Sequence, residues 1–349
     1  MLIDGIHVPL TAPFYRDGRS YVRKLEHNVA RYSLTPVAGL VALASEGAAL
    51  TDDEARESLR AVAEFAGKEK VLVATVERES VHAALELAAA AEAAEFDALL
   101  LRVPQFAWPG DLATTVLYLR TVADGAALPV LLHSQAGRAL PVSAIAELAQ
   151  HPNVIGVYDD ALTVERYNEI AVATAQVKRE VTVTTVFAPV PRRMLKVEPE
   201  AGAANFVSAE SLGGGVALTV APPKPASVSA IKTRTKMVGF QVMAAGRAEG
   251  MIALLEAGAA GAMPELAATM PQGVYEAMAA YKDGDPKLAA EKQQRLTEPD
   301  ALMAELGVAG IKYGCDWNGY YGGVPRLPRL ALDAAAKGRV ERALGSLRN

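Results

Sequence analysis

Short apolar runs rich in Val, Leu and Ile recur along this chain, each followed by a stretch whose apolar positions fall at helical spacing. The first run, Ile6-His7-Val8-Pro9-Leu10-Thr11, leads through the turn Arg16-Asp17-Gly18-Arg19 to Ser20, read as the cap of a helix carrying Val22, Leu25, Val29 and Tyr32 on one face. Gly39-Leu40-Val41-Ala42-Leu43 is almost continuously apolar, as expected of a parallel strand buried on both faces. Thr51 and Glu54 have capping-box spacing and predict a helix running to Ala66. Strands follow at 71–75, 98–103 and 129–133, with helices predicted from Ser80, from about Asp111 and from Pro141.

Val154-Ile155-Gly156-Val157-Tyr158-Asp159 is the sixth run and precedes a helix over 163–176. Six strand–helix units at steps of about 25–33 residues require right-handed crossovers and a parallel sheet covered by helices. A closed eightfold barrel and an open doubly wound sheet both satisfy this pattern. No Gly-x-Gly-x-x-Gly follows the first strand, which weakens a dinucleotide-binding reading. The rhythm breaks over 181–237, where strand-like Val181 to Val186 and Val216 to Val220 alternate with Pro- and Gly-rich segments. This stretch is read as an insertion before the seventh strand; its seven basic and three acidic residues suit a solvated face. The pattern resumes at 238–243, with a helix at 248–257 and a strand at 261–263. These boundaries predict a barrel region over 1–270 and a C-terminal helical region over 271–349, the latter interrupted from Gly310 to Pro328.

Composition narrows the function. A chain of 349 residues with 51% hydrophobic content can bury roughly three quarters of its unfolded surface. A net charge of −5 with mixed signs argues against nucleic-acid and membrane-surface partners. The single cysteine, Cys315, excludes an internal disulfide, and no leader-like or spanning apolar run is visible, so a cytoplasmic location is expected. Five histidines without Cys/His clustering predict no structural metal.

Several segments together resemble the dihydrodipicolinate synthase / N-acetylneuraminate lyase family. They are Pro9-Leu10-Thr11-Ala12-Pro13-Phe14, Ser45-Glu46-Gly47-Ala48-Ala49-Leu50-Thr51 with Glu54, the passage from Pro129 to Arg138, and Val154 to Asp159. Near the end, Gly310-Ile311-Lys312-Tyr313 and Gly319-Tyr320-Tyr321-Gly322-Gly323 are similar to its C-terminal signature. The resemblance implies a TIM (β/α)8 barrel with a C-terminal helical extension, commonly a homotetramer, here a tetramer or dimer. It also implies lyase chemistry on 2-oxo acids through a lysine Schiff base, with a Thr-Thr pair for the substrate carboxylate and tyrosines for protons.

At those positions the chain departs from the family. Tyr158 stands where the Schiff-base lysine is expected, and a phenol cannot form an imine. No barrel strand carries a lysine; Lys178 and Lys196 lie beyond the strand end. His133 takes the place of the proton-shuttling tyrosine, Leu43-Ala44 that of the Thr-Thr pair, and Phe106, after Gln105, that of the second tyrosine. The sequence therefore predicts an oxo- or hydroxy-acid lyase that uses neither an imine nor a cofactor. Its expected catalytic residues are His133, Tyr158 and Glu46, and its expected substrate contacts are Ser45, Arg138 and Phe106. Four of these have a plain structural alternative: His133 as a packed, hydrogen-bonded rim residue, Tyr158 as a phenol filling the vacated lysine pocket, Glu46 as a local hydrogen-bond acceptor and Ser45 as a turn residue. Arg102 is either a second anion site or a helix-facing residue, because its strand phase is ambiguous. Two further readings stay open: a non-catalytic paralogue that binds a metabolite or partners an active family member, and a metal-dependent aldolase drawing on Glu46, His133, Asp159 and Asp160.

Overall fold

The apolar runs close on themselves. A computed structural model describes residues 1–103, 111–184, 233–345 and 347. Its parallel strands are β1 (Gly5–Pro9), β2 (Gly39–Ala42), β3 (Val71–Val76), β4 (Ala98–Arg102), β5 (Val130–Ser134) and β6 (Val154–Asp159), with β9 (Gln241–Gly246) and β10 (Gly261–Pro264) completing the set. They form one closed barrel in the order β1-β10-β9-β6-β5-β4-β3-β2, which removes the open-sheet alternative. The covering helices are α1 (Val22–Ser33), α2 (Asp52–Phe65), α3 (Val81–Ala93), α4 (Leu112–Gly125), α5 (Val142–Ala149), α6 (Val164–Ala173) and α7 (Met251–Ala257). The chain then runs through α8 (Pro271–Lys282), α9 (Pro286–Trp317) and α10 (Ala334–Gly345).

Alternation along each strand divides two apolar layers. Leu40, Leu72, Leu99, Leu101, Leu132 and Val157 pack outward under the helices. Val41, Val73, Leu100, Leu131, Tyr158 and Met243 fill the barrel interior. Side chains, not solvent, thus occupy the lumen, as the fold requires.

Thr51 and Glu54 make both halves of the capping box on α2, and Ser80, Asp111 and Thr163 accept from the first turns of α3, α4 and α6. Ser20 does not cap α1: the cap residue is Tyr21, and Ser20 instead bridges Phe14 in the preceding turn. Val238 ends β8 (Thr233–Val238), so the seventh barrel strand starts later than the apolar pattern suggested, at Gln241. β8 pairs antiparallel with β7 (Arg179–Thr184) outside the barrel, while β6 pairs directly with β9. At the root of this ribbon Arg179 donates to the carbonyls of Ala149 and His151, at the end of α5. The strand expected at Val216 to Val220 lies outside the described residues.

Gly310 to Tyr313 are helical, contrary to the predicted interruption. α9 kinks instead at Gly307, whose φ is 59° and ψ −150°, and the irregular stretch falls after Trp317. The kink turns Gly307, Val308 and Ile311 toward the C-terminal end of the barrel, where they roof its mouth together with Arg329.

Candidate active site at the barrel mouth

Inward-facing positions on consecutive strands deliver a row of charges to the mouth. Arg102 pairs in register with His133, and His133 with Tyr158, so β4, β5 and β6 bring these residues to one level. Arg102 faces inward, which resolves its phase. Its Nε donates to His133 Nδ1 at 3.0 Å and its Nη1 to Glu77 Oε2 at 2.9 Å. On the far side His133 Nε2 meets Asp160 Oδ1 at 2.9 Å, and the Ala136 N–H donates to Asp160 Oδ2 at 3.1 Å.

This geometry fixes the imidazole tautomer. Arginine Nε can only donate, so His133 Nδ1 accepts, and the ring proton sits on Nε2, directed at Asp160. Burial pushes the Asp160 carboxyl up, but His133, the Ala136 amide and the Arg102 charge together hold it below its ordinary value. Gly246, with φ +73°, lies where a Cβ would come within 3.2 Å of the Asp160 side chain, so a side chain there would crowd the row.

The loop after β5 is pinned from behind. Arg166 Nη2 reaches Asp159 Oδ2 at 2.6 Å, the Leu140 carbonyl at 2.7 Å and Ser134 Oγ at 3.3 Å. That anchorage presents Arg138, whose Nη1 donates to the Val103 carbonyl at 3.2 Å and which has no carboxylate partner among the described residues. Glu46 is buried and bound to Lys312 Nζ at 2.6 Å, with both side chains fully shielded from solvent. Lys312 also donates to the Ala12 carbonyl at 2.7 Å and lies 4.5 Å from the Phe14 ring centre. Leu43, immediately after β2, has φ 58°, a strained conformation for a branched residue at the rim.

These residues enclose a cavity of about 340 Å³ lined by Ser45, Glu46, Glu77, Arg102, His133, Arg138, Asp160, Glu265 and Arg329 among others. Of the expected site residues, Ser45, Glu46, His133 and Arg138 meet there; Phe106 lies outside the described residues. Tyr158 does not reach this wall. Its hydroxyl is 2.8 Å from His7 Nδ1, so its partner is His7. His7 Nε2 lies 3.2 Å from the Asp4 carbonyl, which requires a proton on Nε2 and leaves Nδ1 to accept from the phenol. Burial pushes His7 down to about 4 and Tyr158 far above its ordinary range, so both stay neutral.

Arg102, Glu77, Asp160 and Glu265 carry much of the site's charge; the sequence offers Arg102 without a direction and Asp160 only as a possible metal ligand, and gives no signal for Glu77 or Glu265. Glu265 begins the 3₁₀ turn after β10, and its carboxylate is exposed in the mouth. The mouth is recessed, and desolvation together with Asp160 raises the pKa of Glu265 although Arg102 opposes this. Among the described residues no cluster of three or more His, Cys, Asp or Glu is arranged to hold a metal ion.

A closed eight-stranded parallel barrel with a charged C-terminal mouth defines a TIM-type (β/α)8 barrel. Residues 2–183 match the dihydrodipicolinate synthetase family, and the chain belongs to that family. It is 25% identical over 352 residues to 4-hydroxy-tetrahydrodipicolinate synthase of Acidiphilium cryptum strain JF-5, covering 99% of each protein. A shorter stretch of 117 residues is 36% identical to the same-named protein of Mycolicibacterium paratuberculosis strain ATCC BAA-968 / K-10, covering 33% of this chain and 39% of that one. The crystal structure of dihydrodipicolinate synthase from Bacillus anthracis superposes with a TM-score of 0.76 at 18% identity, covering 100% of both chains. That from Thermotoga maritima gives 0.75 at 16% identity, covering 99% of each. At these identities the superpositions speak for the fold alone.

No described helix is long and apolar enough to cross a membrane.

Proposed function

We propose that the mouth binds a small oxo- or hydroxy-acid by its carboxylate and acts on it as a lyase without forming an imine. One observation carries this reading: among the described residues the cavity wall holds three arginines, Arg102, Arg138 and Arg329, and no lysine. Guanidinium groups bind carboxylates in a planar fork but do not condense with carbonyls. Lys312, behind Glu46, does not substitute for a wall lysine. Burial lowers its pKa, but Glu46 opposes this, and its ammonium is held by a carboxylate, a carbonyl and an aromatic face. A Schiff base needs the free amine.

In this reading Arg138 and Ser45 receive the substrate carboxylate, and the Arg102 guanidinium, held between His133 and Glu77, supplies the positive charge beside the oxygen that gains charge. Glu46 acts through position, fixing the C-terminal helix against the mouth. Borohydride treatment in the presence of pyruvate is the direct test. The expected result is no covalent adduct; a reduced adduct on any lysine overturns the proposal.

One observation favours a second reading, a binding protein without turnover: both His133 nitrogens are already engaged, so the imidazole has no lone pair ready for a substrate. Thermal stabilisation by 2-oxo acids that is unchanged in His133→Ala, with no product formed by the unmodified protein, would select it. Kinship with the family also supports a cytoplasmic homo-oligomer, a dimer or tetramer, which sedimentation of the purified chain would test.

A further inference from the structure

Four carboxylates line the mouth, and three are committed. Glu46 is bound to Lys312 and receives the Arg326 N–H at 3.4 Å; Glu77 is bound to Arg102; Asp160 is bound to His133 and Ala136. His133 has a partner on each nitrogen, and the Tyr158 phenol is sealed beneath the cavity against His7. Glu265 alone among these acids has no hydrogen-bond or ion-pair partner among the described residues, and its side chain opens into the cavity at the C-terminal end of β10. Asp160 and Arg102 are close enough for Glu265 to feel their charges, so it shares one space with the His133 row. Asp300 and Arg247 act on it from outside that row.

We propose that Glu265 is the proton-transfer group of this site, a catalytic residue that removes and returns a proton on carbon 3 of a bound 2-oxo acid. The proposal rests on the reading that the mouth binds such acids. In the forward step the C3–H bond breaks and an O–H bond forms on the Glu265 carboxylate. The bonding electron pair moves into a C2–C3 double bond, and the carbonyl pair moves onto oxygen as an enolate. The guanidinium groups of the wall face that oxygen, while His133, engaged at both nitrogens, holds Arg102 in place. Reversal restores the oxo acid, so nothing is consumed. A carboxylate base enolises carbonyl compounds in other barrels without a metal or imine, so the lack of a wall lysine among the described residues does not forbid this step. Desolvation in the recess, with Asp160 nearby, raises the pKa of Glu265 and so makes its carboxylate a stronger base than an exposed one.

Deuterium uptake at C3 of pyruvate and of 2-oxobutyrate, followed by proton NMR in D2O against a buffer blank, tests this. Ligand binding is measured on the same samples by saturation-transfer NMR. The unmodified protein is expected to bind and to speed exchange. Glu265→Gln is expected to bind within about threefold of it and to lose about 10²–10⁴ in exchange rate. Glu265→Asp should retain a measurable part. Exchange within about fivefold of the original in Glu265→Gln overturns the role, as does binding without exchange in the unmodified protein; both outcomes leave the binding pocket standing. Failure of either acid to bind at millimolar concentration overturns the pocket reading and this proposal together.

Discussion

The Tyr158 hydroxyl donates to Nδ1 of His7 at 2.8 Å, joining two residues 151 positions apart across the interior of the barrel. Both side chains are fully buried, and Gly39 makes the space: a Cβ there would lie 2.9 Å from the His7 ring. Tyr158 is thus part of the packing beneath the cavity.

Tyr158→Phe keeps the ring and deletes the donor, leaving His7 Nδ1 buried and unsatisfied. The expected loss is about 1–3 kcal/mol in denaturant unfolding, with oxo-acid binding unchanged. Weakened binding at unaltered stability would return the phenol to the site.

The same pair predicts a pH dependence. The folded His7 pKa is about 4 against 6.5 for an unperturbed histidine, so between these values the unfolded chain binds the extra proton and the folded chain does not. His7's neutral burial therefore costs nothing above pH 6.5, and stability falls as pH drops from about 6.5 toward 4, by about 3 kcal/mol from this residue. Unfolding midpoints measured between pH 7 and pH 4.5 should show that decline, and His7→Gln should flatten it.

Arg102→Lys preserves charge and loses the fork. One ammonium cannot replace an Nε directed at His133 and an Nη1 directed at Glu77, which diverge from a rigid plane. Oxo-acid affinity is expected to drop at least about tenfold, near 1.4 kcal/mol. Calorimetric titration with pyruvate that gives the original affinity would remove Arg102 from the binding scheme.

Glu46 and Lys312 are a buried ion pair linking the rim after β2 to α9. Either partner alone is an uncompensated charge, so Lys312→Met should cost about 3–5 kcal/mol, and Glu46→Gln combined with it should recover a large part. A double-mutant cycle by urea unfolding measures the coupling; strictly additive losses would show that the pair does not act as a unit.

The elements whose signals are local were legible. Thr51 and Glu54 announce α2 because the capping box is a contact between residues three apart, and the runs at 71–76 and 154–159 need only their own apolar continuity. Ser20 misled for the same reason: a good capping residue stands one place from the true cap, and a bridge to Phe14 has claimed it. The site was harder. Ala98-Leu99-Leu100-Leu101 is buried on both faces and has no alternation, so nothing nearby says which way Arg102 points. Glu265 follows Met263-Pro264 at the end of a four-residue strand, and its isolation depends on partners that other acids find far along the chain. Which carboxylate is left unpaired is a property of the closed barrel.

Arg179 ties the β7–β8 ribbon to the carbonyls that end α5, at the end of the barrel from which β6 sets out, and β9 takes its place beside β6 without help from that ribbon. The root of the ribbon and the charged mouth therefore lie at opposite poles of the barrel, so a substitution at one pole can change the contacts made there and leave the side chains of the other where they are.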